Sequence, residues 1–293
     1  MRIKASPYLL LVLTTLFWAG NFVLGRAVKA SIPPVGLAFW RWVIALMILL
    51  PFSLPHLRAQ WLLVRGNWKQ LAVCGILGVS CFNTFVYIGL HSTTAINALL
   101  VNSIIPVLIV VLSRVLAYTP VTRLQAVGVV LSLAGVVIII CRADVGMLLS
   151  LHINRGDLWV LLAVVNWTFY TFLLSKRPAG LHPLSFLGSI IVIGLLVLAP
   201  FYVWEISRGA RVGTDLATCG SILYVALFPS VLAFIFWNQA VGEVGPNKAG
   251  LFLHLMPVFG AILSLVFLGE SLHLFHLAGM GLIFAGICLA AAR

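Results

Sequence analysis

The chain alternates long apolar runs with short segments rich in proline, glycine and charged residues. A helix needs roughly 20 apolar residues to cross the hydrocarbon core of a bilayer. By this criterion the sequence predicts an all-α membrane protein. Its ten expected transmembrane helices cover residues 8–29, 34–54, 69–90, 94–117, 122–141, 157–176, 183–204, 216–240, 246–268 and 273–292.

A constant offset of 151 residues relates the two halves of the chain. It connects Pro106 with Pro257, Ser113 with Ser264, Gly128 with Gly279, Ala134 with Ala285 and Gly135 with Gly286. The first and sixth spans are related by an offset of 149, which brings Trp18 onto Trp167. We therefore predict two five-helix repeats, over residues 1–146 and 147–293.

Because five is odd, the second repeat must enter the membrane from the opposite side. Inverted repeats are a transporter architecture in which the site lies near the midplane and rocking alternates its access. The pattern thus predicts two inverted repeats around a central cavity. The alternative is a duplication that only built a stable bundle.

Composition excludes a soluble globule. Hydrophobic residues make up 62% of the chain, charged residues 8%, and the mean hydropathy is +1.16. A soluble domain has about 25% charged residues, so this chain lacks the polar side chains to cover its surface with water-facing groups.

The net charge indicates orientation in the membrane, and we expect no nucleic-acid partner. Lys and Arg number 18 and Asp and Glu 6, which gives a formal net charge of +12. Eleven basic residues fall on the side of the termini and six on the other, with Arg41 inside the second span. Since cytoplasmic loops are enriched in Lys and Arg, both termini are predicted to be cytoplasmic.

Polar and aromatic side chains on shared helical faces are the candidate binding residues, because polar groups inside spans usually face a bundle interior or a wet cavity. Trp18, Asn21 and Phe22 share one face of the first span, and Trp167 and Tyr170 share one face of the sixth. The alternative role of these stripes is helix packing. Further predicted substrate-binding residues, from the third, fourth, eighth and ninth spans, are Asn83, Tyr87, His91, Asn102, Trp237, Asn238 and His254.

Four further residues are expected to act in gating or in structure. Pro106 and Pro257 lie inside apolar helices, where proline permits a kink that could serve as a gate or be a static bend. Lys248 begins the ninth span and could also only mark the cytoplasmic edge. Arg41 lies about two turns into its span. It has no acidic residue within reach along its own helix, so we expect a structural role.

The acidic residues constrain the mechanism. All six fall at span ends or in loops: Asp144, Asp157, Glu205, Asp215, Glu243 and Glu270. No mid-membrane carboxylate is therefore expected to carry protons. Proton coupling would have to use His91, His254 or Lys248, or else the substrate moves down its own gradient. There is no Walker A loop, so direct ATP drive by this chain is not expected. With no charged anchor assigned to the cavity, we expect broad selectivity and low affinity. We also expect no metal and no cofactor.

Over its whole length the sequence resembles the EamA-type family of the drug/metabolite transporter superfamily. The residues that carry the resemblance are Trp18-Ala19-Gly20-Asn21-Phe22, the arginine of Phe39-Trp40-Arg41, Leu268-Gly269-Glu270-Ser271, Gly279 and Ala285-Gly286. The first repeat departs from the pattern, because Tyr118-Thr119-Pro120 stands where the second has Gly269-Glu270-Ser271. Within the family, the chain is most similar to YddG-type exporters of aromatic and other neutral amino acids.

This resemblance implies a ten-helix basket in a bacterial inner membrane that exports amino acids and related small metabolites by alternating access. Its partners would be the lipid bilayer and a small-molecule substrate, and a monomer is compatible with it. Two alternatives remain at this point. One is a multidrug exporter, against which the lack of an acidic residue in the cavity counts, and the other is a membrane enzyme or scaffold that does not transport.

Overall fold

The computed structural model describes residues 4–28, 31–93, 95–118, 120–150, 154–268 and 273–291, and within these ranges every regular element is helical. The helices of the first half are α1 Pro7–Ala27, α2 Pro34–Ala59, α3 Trp61–Gly66, α4 Trp68–Cys74, α5 Phe82–Ser92, α6 Ala95–Asn102, α7 Ile105–Ala117 and α8 Arg123–Ile140. Those of the second half are α9 Val145–Leu149, α10 Arg155–Ser175, α11 Pro183–Ser207, α12 Leu216–Val225, α13 Ala233–Val244, α14 Pro246–Leu251, α15 Leu255–Leu268 and α16 Leu274–Ala291.

Short turns of other helical types join some of these elements into continuous rods. The π-helical turn Gly75–Cys81 joins α4 to α5, and a second one, Ala226–Leu232, joins α12 to α13. A 3₁₀ turn, Phe252–His254, joins α14 to α15. The two π turns have equal length and lie 151 residues apart, which is the offset found in the sequence.

Eight helical rods in the described part of the chain are long and apolar enough to cross a membrane. They are Pro7–Gly25, Pro34–Ala59, Trp68–Ser92, Asn97–Ala117, Arg123–Ile140, Arg155–Ser175, Pro183–Ser207 and Leu216–Val244. The other two predicted spans are also helical, through α14 and α15 and through the shorter apolar helix Leu274–Ala290. The expectation of an all-helical chain with many apolar helices is confirmed, while the count of ten transmembrane helices stays a prediction.

Proline and side-chain caps define where several helices begin. Helices α1, α2, α11 and α14 start with proline, which has no N–H to leave unsatisfied and whose backbone angle suits the first turn. The N-terminus of α2 is capped from a distant helix, because the Glu205 carboxylate accepts hydrogen bonds from the backbone N–H of Val35 at 3.0 Å and of Gly36 at 2.7 Å. This cap ties α11 to α2, and the two helices pack along much of their length.

Glycines allow the closest helix pair, α8 with α16, to pack backbone against backbone. A Cβ atom at Gly128 would lie 2.5 Å from the carbonyl oxygen of Gly286, and one at Gly279 would lie 2.7 Å from that of Gly135. Both distances are too short for any side chain, so small residues at these four positions set the helix spacing, as in other membrane bundles.

Four helices surround the centre of the molecule. α1 packs on α13, α10 packs on α5, and contacts of α1 with α5 and of α10 with α13 close the ring. The helices α2 and α11 and the two π turns pack against this ring. Side chains that point inward from α1, α5, α10 and α13 therefore meet at one place.

Candidate functional site

Three buried tryptophans form the centre of the site. Trp18 from α1 meets Trp167 from α10 edge to face, with ring centroids 4.9 Å apart, and lies 5.3 Å from Trp237 of α13. The Trp18 Nε1 donates to the backbone carbonyl of Pro229, in the second π turn, at 3.0 Å. The indole N–H groups of Trp167 and Trp237 are buried and have no hydrogen-bond partner among the described residues. The cluster therefore combines aromatic rings with two indole N–H groups that are available to donate hydrogen bonds.

Arg41 lies beside this cluster and connects three of the predicted binding residues. Its guanidinium is fully buried, and Nη1 donates to Asn83 Oδ1 at 2.7 Å and to Tyr87 Oη at 2.6 Å. Tyr87 donates in turn to Asn21 Oδ1 at 2.8 Å, and Arg41 Nε donates to Ser230 Oγ at 2.8 Å. The residues from α1, α2, α5 and the second π turn thus form one polar network.

A related pair occurs in the second half of the chain. Tyr170 of α10 donates to Asn238 Oδ1 of α13 at 2.8 Å. The offset of 149 relates Tyr170 to Asn21, and the offset of 151 relates Asn238 to Tyr87, so the same Tyr–Asn bond recurs with the residue types exchanged. Arg177, in the segment after α10, donates to the Asn238 carbonyl at 3.1 Å, and burial lowers the pKa of Arg177 below its ordinary value.

The cavity at this centre is closed to anything larger than water. Its volume is about 10 Å³, and a single water needs roughly 10–15 Å³. Six predicted binding residues line it together with four residues that the sequence reasoning missed, and the full lining is Trp18, Asn21, Phe22, Phe82, Asn83, Asn102, Ile105, Trp167, Leu253 and Met256. The missed ones are apolar. Phe82 and Leu253 are sequence neighbours of the predicted Asn83 and His254, and this adjacency is the signal that could have drawn attention to them.

Asn102 and His254 belong to the region where α6, α8 and the second half meet. Asn102 borders the cavity, where its Nδ2 lies 3.7 Å from Met256 Sδ and its Oδ1 has no partner among the described residues. His254 lies outside the cavity lining and is fully buried, with Nδ1 2.7 Å from Ser132 Oγ and Nε2 3.0 Å from the Ser103 carbonyl. His254 thus connects the second half to α8 and to the turn after α6.

The two predicted kinks take the form of helix breaks that precede the prolines. The chain turns at 103–104 before α7, in which Pro106 is the second residue. Pro257 is the third residue of α15, which follows the 3₁₀ turn Phe252–His254. The two prolines are 151 residues apart; the first break follows Asn102 directly, and the second ends at His254.

Two other candidates lie away from the central cluster. His91 is exposed near the end of α5. Lys248 lines a separate cavity of about 230 Å³ at the helix ends, together with Lys176 and Ser113. Both positions fit the ends of spans, and neither side chain lines the central cavity.

The arrangement defines a multi-pass membrane protein with a buried aromatic and polar centre, and comparison with known proteins identifies its class. The model of the EamA-like transporter family matches residues 5–141 and again residues 154–292. The chain belongs to the EamA-like transporter family, and the resemblance to the drug/metabolite transporter superfamily is confirmed. Of the motif Leu268-Gly269-Glu270-Ser271, only Leu268 lies within the described residues.

Relatives are similar over nearly the whole chain. An uncharacterized transporter of Bacillus subtilis, YyaM, is 28% identical over 97% of this chain and 92% of its own length. A probable terminal-alkyne amino-acid exporter of Streptantibioticus cattleyicolor is 27% identical, with the same coverage of 97% and 92%. A solved crystal structure matches with a TM-score of 0.77 at 19% identity, covering 97% of this chain and 96% of the other, and this similarity shows the fold alone.

Proposed function

We propose that this transporter exports neutral amino acids, including aromatic ones, and related small metabolites across the bacterial inner membrane by alternating access of one central site. The observation that carries the proposal is the buried cluster in which Trp18 and Trp167 meet Asn21 and Asn83 around a small cavity. Aromatic rings can enclose an apolar side chain. The amides, together with the free N–H groups of Trp167 and Trp237, can bind amino and carboxylate groups.

An inverted-repeat architecture, with residues 1–146 and 147–293 as the two units, is part of this proposal. The equal spacing of the π turns and the exchanged Tyr–Asn bonds support it. Glycine packing supports it as well, because the offset of 151 converts the contact of Gly128 with Gly286 into that of Gly279 with Gly135. A contact that maps onto itself in this way is what a twofold axis between two repeats produces.

The relative named as a probable terminal-alkyne amino-acid exporter supports an amino acid as the leading substrate class for this chain as well. A multidrug exporter of lipophilic cations is the second candidate, and the cavity counts against it, because no described residue that lines the cavity carries a carboxylate. A membrane enzyme or scaffold is less favoured, since the relatives of this chain are named as transporters or exporters.

Uptake into liposomes that contain the purified protein tests the proposal. Labelled phenylalanine would be the substrate, with unlabelled neutral amino acids and the lipophilic cation tetraphenylphosphonium as competitors, with and without a pH gradient. We expect neutral and aromatic amino acids to suppress uptake. Competition by the cation alone would favour the multidrug function, and the absence of uptake of any amino acid would contradict the proposed function.

A pair of tryptophan variants connects transport to the site. Trp167→Phe removes the central indole, whereas Trp204→Phe changes an aromatic side chain that is 57% exposed on the outside of the protein. We expect Trp167→Phe to weaken competition by phenylalanine about two- to tenfold, since it removes the indole N–H and one hydrogen bond contributes about 0.5–1.5 kcal/mol. Trp204→Phe should behave as the unmodified protein, and equal effects of both variants would place the site elsewhere.

A further inference from the structure

Arg41 is a buried cation that no carboxylate of the described residues neutralises. Its side chain is fully buried, and the oxygens that it contacts are all neutral, from Asn83, Tyr87, Ser230 and, at 3.5 Å, Asn21. Among the described residues no carboxylate pairs with it. An unpaired buried charge costs several kcal/mol, so such residues in membrane proteins usually serve function.

The two buried carboxylates among the described residues accept hydrogen bonds from groups other than Arg41. Asp157 accepts hydrogen bonds from Thr93 and from Asn97 Nδ2, the latter at 3.1 Å. Glu205 caps α2 through the Val35 and Gly36 N–H groups. The counter-charge for Arg41 is therefore not supplied by these acids.

One edge of the guanidinium remains unused. Nη2 of Arg41 is buried and has no hydrogen-bond partner among the described residues, whereas Nη1 and Nε each have partners. Asn21 and Asn83, which contact Arg41, also line the central cavity. Arg41 itself does not line this cavity, so an anionic group would reach Nη2 past Asn21 and Asn83 as the cavity widens.

We infer that Arg41 binds the carboxylate of the transported substrate, and that the site takes compounds with a single carboxylate next to an apolar side chain. Guanidinium N–H groups bind carboxylates through charge-assisted hydrogen bonds, and the N–H groups of Nη2 have no other partner among the described residues. The inference deepens the proposed function, on which it rests, and it replaces the expectation of a purely structural Arg41 and of a site without a charged anchor.

The preference for one carboxylate follows from an asymmetry between the halves. The Tyr–Asn pair occurs in both, but the offset of 149 takes Arg41 to Ile190, a fully buried apolar residue of α11. The second half therefore offers no matching cation at this position. A second carboxylate on the substrate would meet only neutral donors there, such as the tryptophan N–H groups. Because a buried charge without a counter-charge is costly, this disfavours dicarboxylates.

Substrate analogues test the inference on the unmodified protein. In proteoliposomes, L-phenylalanine should compete for uptake at least tenfold better than L-phenylalaninamide or phenethylamine, and also better than glutamate. Equal competition by the amide would overturn the role of Arg41 while leaving amino-acid transport intact.

Variants identify the residue responsible. In Arg41→Gln the advantage of phenylalanine over its amide should fall to less than twofold, whereas Arg41→Lys, which keeps the charge, should retain part of it. Arg65→Gln changes an exposed arginine of α3 and should retain all of it. If Arg41→Gln still prefers the acid tenfold, the inference is wrong.

Ligand binding separates this inference from the function itself. Benzoate should raise the melting temperature of the detergent-purified protein and benzamide should not. This difference should vanish in Arg41→Gln. This result without any amino-acid uptake would support the carboxylate site and contradict the proposed substrates. No difference between benzoate and benzamide in the unmodified protein would contradict the carboxylate site.

Discussion

At the scale of single residues, His182 connects the stability of the protein to pH. It precedes α11, where its Nδ1 accepts a weak hydrogen bond from the Leu184 N–H at 3.3 Å, and its ring stacks on that of His56 at 3.7 Å. Burial lowers the pKa of His182 below its ordinary value, and the neighbouring His56 ring lowers it further. The folded protein thus favours the neutral imidazole.

The sign of the pH effect follows from this lowered pKa. The unfolded chain takes up a proton at His182 as the pH falls through about 6.5, before the folded chain does. The free energy of unfolding therefore decreases below that pH. We expect the melting temperature to fall more between pH 7.5 and pH 5.5 in the unmodified protein than in His182→Asn, which keeps a good capping residue.

Thermal unfolding followed by tryptophan fluorescence in detergent measures this difference. His56→Gln serves as the matched variant, because it removes the neighbouring ring and keeps His182. It should reduce the pH dependence of the melting temperature less than His182→Asn does. Identical pH dependence in all three proteins would contradict the assignment.

The sequence predicted only some of the residues that cluster at the centre. The stripes on α1 and α10 predicted that Asn21, Trp18 and Trp167 face inward, because helical spacing defines a face. The partners of Arg41 were not accessible, since they come from α1, α5 and the second π turn and no local pattern connects those helices.

At the scale of elements, the apolar runs predicted the helices closely because proline begins several of them and the hydrocarbon thickness sets their length. The π turns were not predicted, since a seven-residue change of hydrogen-bond spacing leaves the apolar pattern unchanged. At Pro106 and Pro257 the sequence predicted kinks, and the structure has helix breaks before both prolines. Proline indicates where a backbone hydrogen bond is lost, but it does not indicate whether the helix bends or breaks there.

The packing of α8 on α16 permits a test within a single helix. Gly279→Ala would place a Cβ atom 2.7 Å from the Gly135 carbonyl oxygen, whereas nothing lies within 4 Å of a Cβ atom at Gly281, two residues further on. We expect Gly279→Ala to lower the free energy of unfolding by about 1–3 kcal/mol through overpacking. Gly281→Ala should leave it unchanged or raise it by up to about 1 kcal/mol, because alanine favours helix.

Denaturant unfolding in detergent micelles compares the two variants. Equal effects of the two alanines would contradict backbone-to-backbone packing of α8 on α16. A neutral Gly279→Ala together with a destabilising Gly281→Ala would contradict it as well.

At the scale of the whole molecule, orientation depends on the summed charge of the chain. The two ends of α11 carry equal numbers of basic residues nearby, with Lys176 and Arg177 before it and Arg208 and Arg211 after it. Local charge therefore does not decide which end of α11 is cytoplasmic. The excess of eleven basic residues over six on the side of the termini does decide it, if the ten-span topology holds.

Reporter fusions in bacteria test this orientation. Alkaline phosphatase, which is active only outside the cytoplasm, should be active when fused after Gly209 or Ser150 and inactive when fused after Gly180. Green fluorescent protein at the C-terminus should fluoresce, because ten spans return the chain to the cytoplasm. Activity after Gly180 with inactivity after Gly209 would reverse the orientation. Equal activity at both positions would mean that α11 does not cross the membrane, and the inverted repeats would then lose their physical basis, since each copy must contribute an odd number of crossings to reverse the next.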